Sequence, residues 1–310
     1  MSHSLPFTGE RFVPGAAGAK GEMWYEHWHR YHYVLPLVAG KNVLDVACGE
    51  GYGSALLSRT AAQVAGVDIS AEAIAHARHT YAERKSLSFT EGSCVQLPFE
   101  SASIDVVVSF ETLEHIHEQA LFLDEVKRVL KADGVLILSS PNKAEYSDKR
   151  GYTNEFHVRE LYRAELDALL APRFAHLRWL SQRNAFVSLI AEDGAAATGE
   201  SLAVSLQAPE QPVAALPALY YLVLAANDPA ALAAMPRRIS AFTDAEEWAY
   251  NDYRETYRGF RHYMQREQQL EAECTALRTE LDACRHGNTA AAPPVSTDSW
   301  LARFIKRLSN

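Results

Sequence analysis

Four cysteines in 310 residues, at positions 48, 94, 274 and 284, give neither the density of a disulfide scaffold nor the close pairing of a zinc site. They read as small apolar side chains in a reducing compartment, and no metal centre is expected. An excess of positive charge is missing too. The net charge is −9 and the first 240 residues hold no local basic patch, so nucleic acid is not an expected partner. Long hydrophobic runs are also absent: the longest, from Pro212 to Ala226, is broken by two prolines, and the opening MSHSLPF lacks the charged and apolar parts of a secretion signal. These absences point to a cytoplasmic protein. What remains, 48% hydrophobic and 22% charged residues, is the composition of an ordinary globular chain.

From residue 43 to 140, apolar runs of strand length alternate with helix-period segments, the pattern of an α/β fold with parallel strands. Strands are expected at 43–47, 64–68, 87–90, 104–109 and 135–140. Their continuous apolar character argues for cover on both faces. Ser70 is placed to cap a helix over 71–84, and FLDEVKRVLKADG reads as an amphipathic helix ending at Gly134. Two later runs, AFVSLIA at 185–191 and LYYLVLAA at 219–226, would bring the sheet to seven strands, with a surface loop between them.

After residue 240 the composition changes. Tyr253, Thr256, Phe260, Tyr263, Glu267, Leu270, Cys274, Leu277, Leu281 and Cys284 recur at alternating spacings of three and four, the seam of a coiled coil over 253–284. Such a seam must be buried, and a second copy of the chain is the simplest partner; packing back on its own domain is the alternative. Residues 287–298 read as a flexible linker. In SWLARFIKRLSN, an apolar face of Trp300, Leu301, Phe304, Ile305 and Leu308 opposes Arg303, Lys306 and Arg307, so 299–310 reads as a basic amphipathic helix. It suits the inner face of the cell membrane, an acidic partner groove, or the chain itself. The resulting division is an entry or lid segment at 1–40, a catalytic domain at 41–240, a coiled coil at 241–286, the linker and the terminal helix.

VLDVACGEGYGS, residues 43–54, places Gly49, Gly51 and Gly53 between the first strand and a helix, where bare backbone lets a ligand approach main-chain amides. The spacing is GxGxG, unlike the GxGxxG of dinucleotide binders, and Asp45 lies inside the strand. A carboxylate there suits a positively charged or amine-bearing ligand better than a pyrophosphate. Asp68 ends the second strand nineteen residues after Gly49, in place for two ribose hydroxyls.

With GVDIS, EGSCVQLPF, IDVVVSFETLEHI and FLDEVKRVLKADGVLILSSPNK, this stretch resembles the class I S-adenosylmethionine-dependent methyltransferases over residues 42–143. The resemblance implies a Rossmann-like seven-stranded sheet with its last strand antiparallel. It also implies S-adenosylmethionine as cofactor, with S-adenosylhomocysteine as product. It assigns Asp45, Cys48 and Gly49, with Gly51 in the same loop, to the methionine part, Asp68 to the ribose, and Ile69, Ser93 and Cys94 to the adenine. Ser93 departs from the Asp found in many relatives.

FTGERFVPG, EMWYEHWHRYHYVLPL and SSPNKAEYSDKRGYTNEFHVRELY narrow the resemblance to bacterial surface-polysaccharide methyltransferases, and the coiled coil with its basic tail is similar to the layout of O-antigen chain-terminating enzymes. That implies a glycan acceptor and a polymerising glycosyltransferase as partner. Methylation of a small natural product, and a scaffold that has kept a vestigial domain, are the competing readings; a nicotinamide dehydrogenase is a remote third.

A sugar hydroxyl needs a base, whereas a phosphate acceptor needs cations. His157 is the first choice for the base and His115 the second, with Glu111 and His117 on the same loops. Tyr31, Lys143, Tyr152 and Asn154 are expected to touch the acceptor. Glu26, His27, His29, Arg30 and Tyr31 form the lid, Arg30 contacting cofactor or, with Lys143, an acceptor phosphate.

Overall fold

The computed structural model describes residue 13 and residues 21–185, 217–233, 240–243 and 246–285. Two compact units divide the chain at residues 243 and 244. In the first, helix α1 (Glu22–Val34) precedes β1 (Asn42–Val46), α2 (Tyr52–Leu57), β2 (Gln63–Asp68), α3 (Ala71–Thr80), β3 (Leu87–Glu91) and β4 (Ile104–Ser109). Then come α4 (Gln119–Val129), β5 (Leu130–Pro141), α5 (Arg163–Leu170), β6 (His176–Gln182), β7 (Tyr220–Ala226) and α6 (Pro229–Ala233). The second unit contains α7 (Trp248–Arg285).

The strands form one sheet in the order β3-β2-β1-β4-β5-β7-β6, with only β7 running against the others. The expected seven strands and reversed last strand are both present. Alternation along each strand feeds two apolar layers: Leu44, Val46, Val107, Leu136 and Leu138 face Phe122 and Val126 of α4, whereas Val43, Val106, Val108 and Ile137 face Val34 and Leu56. Strand order reverses between β1 and β4, so the loops after these two strands diverge and open a crevice at their carboxyl ends.

Three local expectations need correction. The sixth strand is His176–Gln182 and not 185–191, of which 186–191 lie outside the described residues. HLRWLSQ pairs with β7 on one side only and is half-exposed, so an edge strand here does without a continuous apolar run. The α4 helix stops at Val129, because Leu130 turns extended to pair with Ile104; Gly134 sits within β5 and caps nothing. Ser70 does cap α3, its Oγ accepting the Ala73 amide at 3.2 Å, but the helix ends at Thr80 and not at 84.

Helix α7 runs unbroken for 38 residues, and all of 251–283 is exposed, including Tyr253, Phe260, Tyr263, Leu270, Leu277 and Leu281 of the predicted seam. No helix among the described residues is long and apolar enough to cross a membrane. The linker and terminal helix at 287–310, and the FTGERFVPG stretch apart from Val13, lie outside the described residues.

Candidate active site

A cleft of ≈ 150 Å³ opens at the reversal of strand order, floored by Ala47, Cys48 and Gly49 after β1 and by Phe110 and Glu111 after β4. Helix α1 contributes Glu26, His27 and Tyr31, and the far wall holds His115, Tyr146, Asn154, His157 and Tyr220. A larger groove of ≈ 400 Å³, lined by Glu22, Glu145, Lys149, Arg150 and Arg183, holds none of the expected site residues.

The three glycines do different work. A β-carbon at Gly53 would stand 2.0 Å from the Tyr31 ring, and one at Gly51, where φ is +83°, would stand 2.4 Å from the Phe89 ring. Gly49, at φ +54°, faces open space with no atom within 4 Å of a would-be β-carbon. This bare stretch of backbone beside the cleft is the cradle that a cofactor would fill. Asp68 organises the loop: Gly49 N–H donates to Oδ2 at 2.8 Å and Ser70 N–H to Oδ1 at 2.9 Å, each oxygen keeping a lone pair for a ribose. Next to it Ile69 is 76% exposed, an apolar surface suited to an adenine edge. Ser93 and Cys94 are half-buried on the loop after β3, with the Ser93 hydroxyl accepting the Val95 amide at 3.3 Å.

Asp45 is fully buried and does not line the cleft. Its carboxylate accepts Ser54 Oγ at 2.6 Å and Tyr31 Oη at 3.2 Å, and burial lifts its pKa to about 7. Tyr31 therefore stands between Asp45 and the cleft. Arg30 is likewise buried, ion-paired to Glu111 at 3.3 Å, donating Nε to Gln182 at 2.6 Å and stacked 4.4 Å over the Tyr220 ring. Neither Nη1 nor Nη2 makes a hydrogen bond, so beyond the Glu111 ion pair both terminal nitrogens are buried donors with none. Glu26 accepts Tyr220 Oη at 2.9 Å and is raised to about 7, mainly by burial. His27 contacts Tyr52 Oη at 2.8 Å and His29 the Ser240 hydroxyl at 2.9 Å. Helix α1 is thus bolted to the sheet by the residues expected to form a lid.

On the acceptor side, His157 Nδ1 lies 2.6 Å from Glu160 and its Nε2 3.0 Å from the Asn154 amide nitrogen. Ser147 Oγ donates to the other Glu160 oxygen at 2.5 Å. His115 Nδ1 lies 3.0 Å from the Phe156 carbonyl, and the two imidazoles meet edge to face at 4.9 Å. Glu111 adopts φ +51°, held by Ser139 Oγ donating to its Oε1 at 2.6 Å. Ala47, across the crevice, has φ +59°.

The remaining expected groups are more distant: Lys143 lies outside the cleft lining with Nζ 5.0 Å over the Tyr162 ring, Tyr152 is exposed against Tyr146, and His117 is exposed. Glu114, Tyr146, Glu160 and Tyr220 were not anticipated. The signal for Glu160 was its place three residues after His157. Glu114 gave none, since a lone acid beside Leu113 resembles a solvated helix face. Although no metal centre was expected, Glu114, His115 and His157 come together.

Residues 44–138 match the family described as methyltransferase domain. Over this segment the chain is similar to methyltransferase domains. The chain is 40% identical over 172 residues to a Mycolicibacterium smegmatis protein named a probable S-adenosylmethionine-dependent methyltransferase, covering 55% of this chain and 65% of that one. It is 38% identical over 167 residues to a probable S-adenosylmethionine-dependent methyltransferase of Mycobacterium tuberculosis, covering 54% and 60%. The matches therefore span less than two thirds of either relative. Among solved structures, a chain of the complex between the Haloferax volcanii Trm112 methyltransferase activator and a methyltransferase superposes with a TM-score of 0.50 at 22% identity, covering 66% of this chain and 92% of that one. That likeness concerns the fold alone.

Two outcomes are expected of this unit. Gly53→Ala drives a methyl into the Tyr31 ring and costs about 1–3 kcal/mol, read as a lower thermal midpoint. Because Asp45 is raised in the folded state, its contribution to stability is present below its unfolded pKa and is lost as pH rises through about 7. Between pH 5 and 7.5 the melting temperature of the wild type should fall more steeply than that of Asp45→Asn.

Proposed function

We propose that the chain is an S-adenosylmethionine-dependent O-methyltransferase acting on a bacterial glycan, at the terminal sugar of an O-antigen or similar surface polysaccharide. S-adenosylmethionine is the cofactor and S-adenosylhomocysteine the product. Gly49 and Cys48 would hold its methionine end, Asp68 its ribose, and Ile69, Ser93 and Cys94 its adenine; the sulfonium supplies an electrophilic methyl group. The observation that carries the acceptor class is the wall of the cleft. Flat rings of Tyr146, Tyr220 and Phe110 stand among the hydrogen-bonding groups of Asn154, His115, His157 and Glu111, a combination that suits the apolar C–H faces and hydroxyls of a sugar.

Methyl transfer is an in-line displacement whose main requirement is alignment of acceptor oxygen and methyl group. His157 is the group at which the acceptor hydroxyl is activated: Glu160 anchors Nδ1, which leaves Nε2 as the basic nitrogen on the cleft wall. Tyr146, on the segment after β5, is stacked on His157 at 5.5 Å and fixes the ring plane.

Helix α7 supports assembly as a homo-oligomer. Its exposed apolar and aromatic side chains, at alternating spacings of three and four, would be covered by the same face of a second copy. A polymerising glycosyltransferase partner, and peripheral contact with the membrane through 299–310, complete this reading; both suit an enzyme that must meet the end of a growing chain.

The test is transfer of label from S-adenosylmethionine to oligosaccharides with and without terminal phosphate, run beside fatty-acid, quinone and small natural-product acceptors. Methylation of one terminal sugar supports the reading, and methylation confined to the small molecules overturns it. With the true acceptor, His157→Ala should lose roughly 10²–10⁴-fold in kcat while cofactor affinity stays within about twofold. Leu270→Asp combined with Leu277→Asp should shift the light-scattering mass to that of a single chain.

A further inference from the structure

We propose that Glu114, His115 and His157 bind a divalent first-row metal ion at the acceptor end of the cleft. One ligand atom of each residue lies within 4.8 Å of those of the other two, so small side-chain movements would close the set around an ion. The inference rests on reading the cleft as the acceptor site, and it specifies how His157 activates a hydroxyl there: as a ligand to the ion.

Three features argue for the ion. Glu114 is 0% exposed, its Oε1 has no hydrogen-bond partner, and its other oxygen has a single long contact of 3.5 Å from Ser140 Oγ. A carboxyl group buried that bare is costly, and an adjacent cation would remove the cost. The imidazoles are also set as metal ligands usually are. A carbonyl oxygen cannot donate, so His115 Nδ1 carries the proton shared with Phe156, and the Glu160 carboxylate similarly claims the Nδ1 proton of His157. Both lone pairs then fall on Nε2, the arrangement in which outer carbonyl and carboxylate groups orient ligating histidines. Binding would displace the Asn154 amide from His157 Nε2. Finally, two imidazoles and one carboxylate leave coordination positions open, a donor set for Zn²⁺, Fe²⁺, Co²⁺ or Mn²⁺ more than for Mg²⁺ or Ca²⁺.

The chemistry balances without an added oxidant or reductant. An acceptor hydroxyl on an open position is acidified by the cation and releases its proton to water in the cleft. Its oxygen then forms the new C–O bond as the S–CH₃ bond breaks, the bonding pair remains on sulfur, and the ion keeps its charge.

The full-length chain, stripped with a chelator, would be titrated with Zn²⁺ by calorimetry and with Co²⁺ by visible absorption. One ion per chain is expected, with d–d bands of a mixed nitrogen–oxygen site. Glu114→Gln and His115→Ala should lose at least 100-fold in metal affinity. Glu160→Gln should lose roughly 10–100-fold, the effect of removing an outer-shell partner. The surface variant His76→Ala should bind as the wild type does, and circular dichroism establishes that each variant is folded. No stoichiometric Zn²⁺ or Co²⁺ binding at 1 mM, or equal affinity in wild type and Glu114→Gln, overturns the metal site. S-adenosylmethionine binding to the stripped protein separates the two readings: if cofactor binds and metal does not, the metal site alone falls.

Discussion

Tyr31 fills the space that a side chain at Gly53 would need, and much of the site follows from that exclusion. Its ring packs α1 against the start of α2, and its hydroxyl reaches Asp45 in the middle of β1. One turn of α1 is thereby fixed against the sheet, which places Arg30 beside Glu111 at the end of β4 and Glu26 beside Tyr220 of β7. Phe89 does the same at Gly51 from the other side. The glycine loop is therefore shaped partly by the protein's own rings, and only at Gly49 does the bare backbone face open space.

This packing explains how a chain of modest hydrophobicity keeps so many polar groups buried at one edge. Asp45, Glu26, Arg30 and Glu111 form hydrogen-bonded or ion-paired neighbours, each partner offsetting the desolvation of the next. Their shared position, at the carboxyl ends of β1 and β4 and the amino end of the reversed β7, is where diverging loops leave room for ligands. The acceptor wall is built differently, from the turn after β5 that carries Tyr146, Asn154, His157 and Glu160.

Six of the seven strands could be read from the sequence: five are largely apolar runs inside the sheet, and the sixth, LSFTE, is the other edge strand and buries only Phe89. HLRWLSQ escaped because an edge strand, paired on one side, tolerates polar residues on its open face. The helix end was misread at Gly134 because KADG is compatible with a last helical turn, whereas pairing of Leu130 with Ile104 is a long-range event. The same division holds at the site. Gly49 and Asp68 are separated by one helix and a strand, so spacing alone locates them. Glu114 and Glu160 acquire their environments only when the loops after β4 and β5 meet, a contact that no local pattern records.

Ala47 and Glu111 remain as the two left-handed residues that face each other across the crevice. A non-glycine residue in that conformation gives up about 1–3 kcal/mol, and glycine would relieve it at once. At Ala47 a single methyl group is kept at that cost, and at Glu111 a whole carboxylate. The mouth of the crevice is thus a place where backbone strain is held by particular atoms: a glycine at position 111 would relax the backbone but leave the buried Arg30 without its ion pair.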